Sequence, residues 1–179
     1  VKYYAEQALK AGCAFINAGH LQDGKVNYEI CDYITPQKYK SLRGAKIEQG
    51  DILYCLRGTL GKNAFIDEKV VDGTVASSLV VIRPHDINNK FLFYILNSYI
   101  EEKQRRAADN GTAQPNLSAL SVAAFRILAP SKPEQDHIVE VLETIDNSIE
   151  QERDILKKYS LLKQGLIQDL LSGNVDAGK

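Results

Sequence analysis

An α+β fold is predicted for this 179-residue chain, and three observations predict it. Short apolar runs separated by turn residues fill roughly the first half. Helical spacing takes over after that, and the two patterns never alternate in the βαβ manner of a parallel α/β sheet. The last quarter is a single amphipathic stripe. The expectation is a compact mixed-sheet body with peripheral helices, followed by one long C-terminal α-helix.

Taken in order, Ala14–Ile16, Val26–Ile30, Ile52–Leu56, Ala64–Ile66 and Ser78–Ile82 read as strands. They are separated by Asp23-Gly24, Gly50-Asp51, Gly58–Gly61 and Asp72-Gly73. Ile52-Leu53-Tyr54-Cys55-Leu56 is apolar at every position, as a central strand buried on both faces should be. Asn88 or Asn89 caps a helix running through Phe91, Leu92, Ile95, Leu96 and Tyr99 and ending before Gly111. A short helix near Leu117–Leu120 and a strand at Ala124–Leu128 lead to Pro130.

The final segment, Glu134 to Ser172, has apolar residues at Ile138, Val141/Leu142, Ile145, Ile149, Leu156, Tyr159, Leu162, Leu166 and Leu170. Steps of three and four put them on one side of a helix, with Glu140, Glu143, Asp146, Glu150, Lys157 and Lys158 turned to water. At 1.5 Å per residue the segment reaches roughly 58 Å, longer than a body of this size is wide. Its stripe therefore needs a second helix. Ser131 and Glu134 have capping-box spacing, Pro133 suits a first turn, and Gly173 follows the last apolar pair. Glu152 interrupts the stripe: it either fixes the register of paired helices or marks a bend or change of partner.

The length allows one core domain and an appendage. The expected division is 1–130, 131–175 for the long helix, and a 176–179 tail. No run is long enough to span a bilayer, and VKYYAEQALK lacks the apolar centre of a signal peptide. Cys13, Cys31 and Cys55 are odd in number and widely spaced, which predicts reduced, mostly buried thiols in a cytoplasmic protein. Methionine is absent even at residue 1, which predicts a piece of a longer product. Residues 1–130 hold 16 Lys/Arg against 13 Asp/Glu, and residues 131–179 hold 6 against 10. The body is mildly basic and the arm acidic, so any nucleic-acid contact is expected on the body.

Catalytic patterns fail. His20, His85 and His137 adjoin no nucleophile motif, and neither G-x-S-x-G nor H-E-x-x-H occurs. R-G-T-L-G-K at Arg57–Lys62 resembles part of a phosphate-binding loop, but Leu56 replaces its first glycine and Asn63 its Ser/Thr. A tight glycine turn between strands is the better reading. Glu101-x-Lys103, on a helix face expected to be exposed, has no upstream aspartate to complete a nuclease metal site. No metal site and no catalytic residue is assigned.

Binding patterns fare better. Lys38, Tyr39, Lys40, Arg43 and Lys46 lie in a stretch without acidic residues from Ile34 to Ile47, read as a loop after Thr35-Pro36. A basic loop with a tyrosine suits phosphate contact and base approach; a solvated surface loop is the competing reading. Arg57 and Lys62 flank the glycine turn, whose backbone amides suit a phosphate. Asn110, Thr112 and Gln114 lie in a polar loop, where Asn and Gln have the donor–acceptor pattern for adenine. Turn formation competes at Asn110. Arg105 and Arg106 follow Glu101 and Glu102 by four residues, as helix-surface ion pairs do.

These segments also occur in a recognisable order: A-F-I-N-A-G-H-L-Q-D-G-K, G-D-I-L-Y-C-L-R-G-T-L-G-K, L-V-V-I-R-P, F-L-F-Y-I-L-N-S, N-G-T-A-Q-P-N-L, F-R-I-L-A-P-S-K-P-E-Q-D-H-I, I-D-N-S-I and K-Q-G-L-I-Q-D-L-L-S-G. From about Ala14 to Val175 the chain resembles the DNA-specificity (S) subunit of type I restriction–modification systems: one target-recognition domain followed by one conserved spacer helix. His20 stands where the family often has an acidic residue.

The resemblance implies a non-catalytic reader of one half of a bipartite double-stranded DNA site. It implies pairing of the long helix as an antiparallel coiled coil, with a second S half or a second copy. It also implies methyltransferase (M) subunits that bind S-adenosylmethionine, and restriction (R) subunits that cleave DNA using ATP and Mg. This chain would bind no cofactor. It is then a fragment of a full subunit or a natural half-subunit. The alternative is a protein-interaction module acting through its coiled-coil arm alone.

Overall fold

A computed structural model describes residues 12–68, 72–108 and 116–172. Its elements divide into two compact units, residues up to Asp136 and residues from His137 onward.

The first unit is built on two three-stranded sheets and a hairpin. Strand β1 (Cys13–Ile16) pairs antiparallel with β4 (Asp32–Ile34) and parallel with β7 (Gly73–Val75). Strand β5 (Ile52–Cys55) lies between β6 (Asn63–Phe65) and β8 (Leu79–Ile82), antiparallel to both. The predicted central strand is therefore central, and its alternation explains the unbroken apolar run. Leu53 and Cys55 join Ala14, Ile16, Ala64 and Leu79 in a core shared by the two sheets. Ile52, Tyr54 and Leu56 face Leu96, Leu117 and Val122 on the other side. Each such large aliphatic side chain stabilises the fold by about 1.5–3 kcal/mol when fully buried.

Strands β2 (Leu21–Gln22) and β3 (Lys25–Val26) form a hairpin through the two-residue turn Asp23-Gly24, a favoured hairpin pair. Here the expected strand Val26–Ile30 is corrected: only Val26 pairs. Asn27 turns the chain, its side chain accepting from Glu29 N at 3.1 Å, and β4 takes the place beside β1. The expected turn at Asp72-Gly73 is likewise replaced by β7 at Gly73.

Helix α1 (Pro36–Ser41) lies inside the stretch read as a loop. Thr35 caps it, accepting from Lys38 N at 3.2 Å, and Pro36 stands in its first turn. The single helix expected after Asn88 is two: α2 (Asn89–Leu96), capped by Asn88, and α3 (Tyr99–Ala108). Asn97 and Ser98 separate them by bonding backbone carbonyls with their side chains, Asn97 to Phe93 O at 2.8 Å and Ser98 to Ile95 O at 2.7 Å. Ser118 caps α4 (Ala119–Ala123).

The expected strand Ala124–Leu128 does not form. The Gln104 side chain pairs there with the backbone of Arg126, accepting from its N–H at 2.6 Å and donating to its carbonyl at 2.9 Å. A side-chain amide thus satisfies the groups a neighbouring strand would have met. Cys13, Cys31 and Cys55 are buried and not disulfide-bonded. Burial pushes the Cys31 thiol up to about 11, helped by Asp32.

Helix α5 (Lys132–Leu171) runs 40 residues without interruption, about 60 Å. Its first turn belongs to the first unit, where buried Gln135 accepts from Asn88 N at 2.9 Å and donates to Pro130 O at 2.8 Å. In the second unit Ile145, Ile149, Leu156, Tyr159, Leu162, Leu166 and Leu170 are exposed, while Ile138 and Leu142 are half-buried. Glu152 lies in the same groove as Ile149 and Leu156, and the helix continues through it. Gly173, the expected helix stop, lies outside the described residues. Among those described, no helix is long and apolar enough to cross a membrane.

Candidate nucleic-acid interface

The basic run is fixed at its back and open at its front. Tyr39 is buried with Cys13 and Ile34 in a small cluster, and the Lys46 ammonium lies 4.4 Å from its ring centroid. The tyrosine thus anchors α1 to the sheet rather than standing among the exposed cations. Lys40, Arg43 and Lys46 are exposed, and Lys38 is half-buried.

Three bonds hold the backbone that follows Arg43. Thr74 Oγ1 donates to Ala45 O at 2.8 Å, Arg83 Nη2 to Lys46 O at 3.0 Å, and Ile47 N to Gly73 O at 3.0 Å. Arg83 is itself held by Asp51, with Nε and Nη2 at 2.7 and 2.8 Å from its two carboxylate oxygens, and by Glu48 at 2.9 Å. Asp51 is fully buried, and its bonds to Arg83 raise the affinity of the guanidinium for its proton. From the sequence, Asp51 is only half of a turn pair, Arg83 only part of L-V-V-I-R-P, and Thr74 carries no signal.

The glycine turn is the tight turn expected, and several of its amides have partners. Leu60 N donates to Gly58 O, Gly61 N to Cys55 O and Lys62 N to Thr59 O. The Lys62 ammonium donates to Ala18 O at 3.0 Å, whereas Arg57 is exposed and its backbone bridges Asn116.

Behind the turn, buried Glu101 accepts from the Tyr54 hydroxyl and from Arg105 Nε, the latter at 2.9 Å. Glu101 is therefore not on the exposed face expected of it. Burial, and then the bond to Glu101, raise the Tyr54 phenol above its ordinary range. The ion pairs Arg105–Glu101 and Arg106–Glu102 form as the spacing predicts. Asn110, Thr112 and Gln114 lie outside the described residues; Asn116 is bridged to Arg57.

Topology sorts the candidates into two groups. Ile34, opposite Cys13 at the start of β1, leads into α1, while Ala18, which holds Lys62, follows the other end of that strand. The Asp51–Arg83 pair likewise precedes β5, and Arg57 follows it. Lys38, Lys40, Arg43 and Lys46 thus stand at one end, and Arg57 and Lys62 at the other. The strands between the two ends are four residues long, roughly 13 Å. Among the three histidines, His20 is buried in a capping box with Asn17. Burial lowers its proton affinity, partly offset by Asp32 at 3.9 Å.

Comparison with known proteins agrees with this architecture. Residues 5–158 match the family model of the type I restriction modification DNA specificity domain. The type I restriction enzyme HindI specificity subunit of Haemophilus influenzae is 25% identical over 159 residues, which cover 86% of this chain and 34% of that protein. A chain solved in work on complex assembly and conformational transition of the type I R-M system shares the fold with a TM-score of 0.66 at 19% identity, over 99% of this chain and 47% of that one. The HsdS subunit from Thermoanaerobacter tengcongensis gives 0.64 at 18% identity, over 97% and 46%. The chain therefore spans about a third of the HindI subunit and just under half of the two solved chains.

Proposed function

The chain belongs to the type I restriction modification DNA specificity family, and on that premise we propose that its first unit reads one half of a bipartite DNA site. The observation that supports this most directly is the basic run: exposed Lys40, Arg43 and Lys46 on a backbone fastened from behind. Cations carried on a fastened backbone meet phosphate at lower entropic cost than cations on a mobile one, and phosphate contacts set the register from which bases are read. Arg57, with the loop containing Asn110, Thr112 and Gln114, forms the second group, suited to base edges by its amide side chains.

The chain's own role is recognition, not catalysis. The long helix pairs antiparallel with a second S half or a second copy through Ile145, Ile149, Leu156, Tyr159, Leu162, Leu166 and Leu170, flanked by Ile138 and Leu142. M and R subunits assemble around it in the cytoplasm and supply S-adenosylmethionine, ATP and Mg chemistry. The boundaries follow the same plan, with recognition in 1–130, pairing in 131–175 and a tail at 176–179.

Salt dependence tests the reading. The full chain, with its methyltransferase partner present, is titrated with duplex DNA at 50 and 200 mM salt. Each lost phosphate contact flattens the log–log slope by about 0.9. Arg43→Ala with Lys46→Ala should flatten it by about 1.8, so a fourfold rise in salt costs roughly 12-fold less affinity than in the unsubstituted chain. Arg57→Ala should flatten it by about 0.9. Unchanged slopes in both sets would leave the protein-interaction module as the better account.

A further inference from the structure

We propose that Arg83 and Thr74 are positioning residues for the basic run, and that Arg83, although a cation at the same end of the fold, makes no DNA contact of its own. This rests on the reading of Arg43 and Lys46 as phosphate contacts.

The first argument is an account of donors. A guanidinium has five N–H groups. Four of those of Arg83 are directed at Asp51 Oδ1, Asp51 Oδ2, Glu48 Oε1 and Lys46 O, at 2.7, 2.8, 2.9 and 3.0 Å. Two carboxylates around one guanidinium leave the cluster net negative, which repels a phosphate. Arg83 is also not free to swing outward, because doing so strands fully buried Asp51.

The second argument is where the tethers fall. Thr74 fixes the carbonyl of Ala45, Arg83 that of Lys46, and Gly73 the amide of Ile47. Three successive residues are held by groups from β7 and from the end of β8, which are distant in sequence. The side chains of Arg43 and Lys46 stay exposed. Lysine cannot replace arginine here, since one ammonium cannot bridge both oxygens of Asp51 and still reach Lys46 O.

A mutant cycle tests this. Salt slopes for a mixed-sequence duplex are measured for the full chain, for R43A/K46A, for Arg83→Lys and for the triple variant, with folding checked by circular dichroism. Arg83→Lys keeps the charge, yet should flatten the slope by up to about 1.8, and it should add nothing in the R43A/K46A background. A phosphate-contacting Arg83 predicts the opposite: a slope preserved by lysine, or an effect that adds to R43A/K46A. Either result overturns the proposal.

Thr74→Val covers the case in which Arg83→Lys does not fold, since it removes one donor at constant shape. It should flatten the slope by about 0.9 and likewise add nothing in that background. A Thr74→Val slope equal to that of the unsubstituted chain counts against the positioning role. If R43A/K46A itself leaves the slope unchanged, the assignment of the site has failed, and this inference falls with it.

Discussion

Gly58 and Gly61 form a matched pair in one turn, and they predict different costs for the same substitution. Their φ angles are +84° and +80°, so alanine meets the same left-handed backbone at both. That strain costs about 1–2 kcal/mol. At Gly58 nothing lies within 4 Å of an added Cβ, and strain is the whole effect. At Gly61 the Cβ would lie 2.6 Å from Arg105 Nε and 2.9 Å from Glu101 Oε1. The Arg105 head must withdraw, leaving Glu101, only 4% exposed, without its ion-pair partner.

Breaking a fully buried pair costs about 3–5 kcal/mol. Arg105 is a quarter exposed and can re-form a longer, wetter contact, so about 1–3 kcal/mol is a fairer figure. Gly61→Ala should therefore lose about 2–5 kcal/mol and Gly58→Ala about 1–2 kcal/mol. Urea unfolding of the full chain, with equal m-values, reads the difference directly. Equal losses for the two variants would refute the claim that the Glu101–Arg105 pair is packed against the turn.

Two further outcomes are expected. Because burial lowers the proton affinity of folded His20, the unfolded chain binds its proton first as pH falls below about 6.5. The stability from this residue is present above that pH and is lost down through the folded-state value, with a slope of at most about 1.4 kcal/mol per pH unit. His20→Gln should remove that part of the pH dependence in unfolding measurements between pH 7.5 and 5, and an identical dependence in the variant would count against it. If the long helix pairs as proposed, Glu152→Leu, in the groove lined by Ile149 and Leu156, should strengthen association by about 1.5–3 kcal/mol, roughly tenfold or more in Kd. Sedimentation equilibrium checks it, and unchanged association would place Glu152 off the seam.

Local patterns were legible in the sequence, and distant partnerships were not. β5 announced itself because both of its faces are buried, and the cap was narrowed to Asn88 or Asn89 because a cap acts within three residues. The ion pairs Glu101–Arg105 and Glu102–Arg106 follow from one helical turn. Glu101 was misplaced to the surface because what buries it includes Tyr54, 47 residues away. β7 was hidden in a turn signal, since Gly73 becomes a strand residue only by pairing with Ala14. The basic run was found by composition, but its support was not. Arg83 and Thr74 meet it across 37 and 29 residues, separations that no local pattern encodes.

The parallel pairing of β1 with β7 has a consequence for the order of assembly. The hairpin of β5 and β6 closes a short loop, Tyr54 opposite Asn63, and can form early. Joining Ala14 to Gly73 closes a far longer one, so its entropy must be overcome before any contact repays it. The backbone of the basic run depends on that closure, because Thr74 and Gly73 are among its fastenings. A nascent or partly melted chain would keep its positive charges but not their arrangement. The arrangement, unlike the charge, is a product of long-range closure.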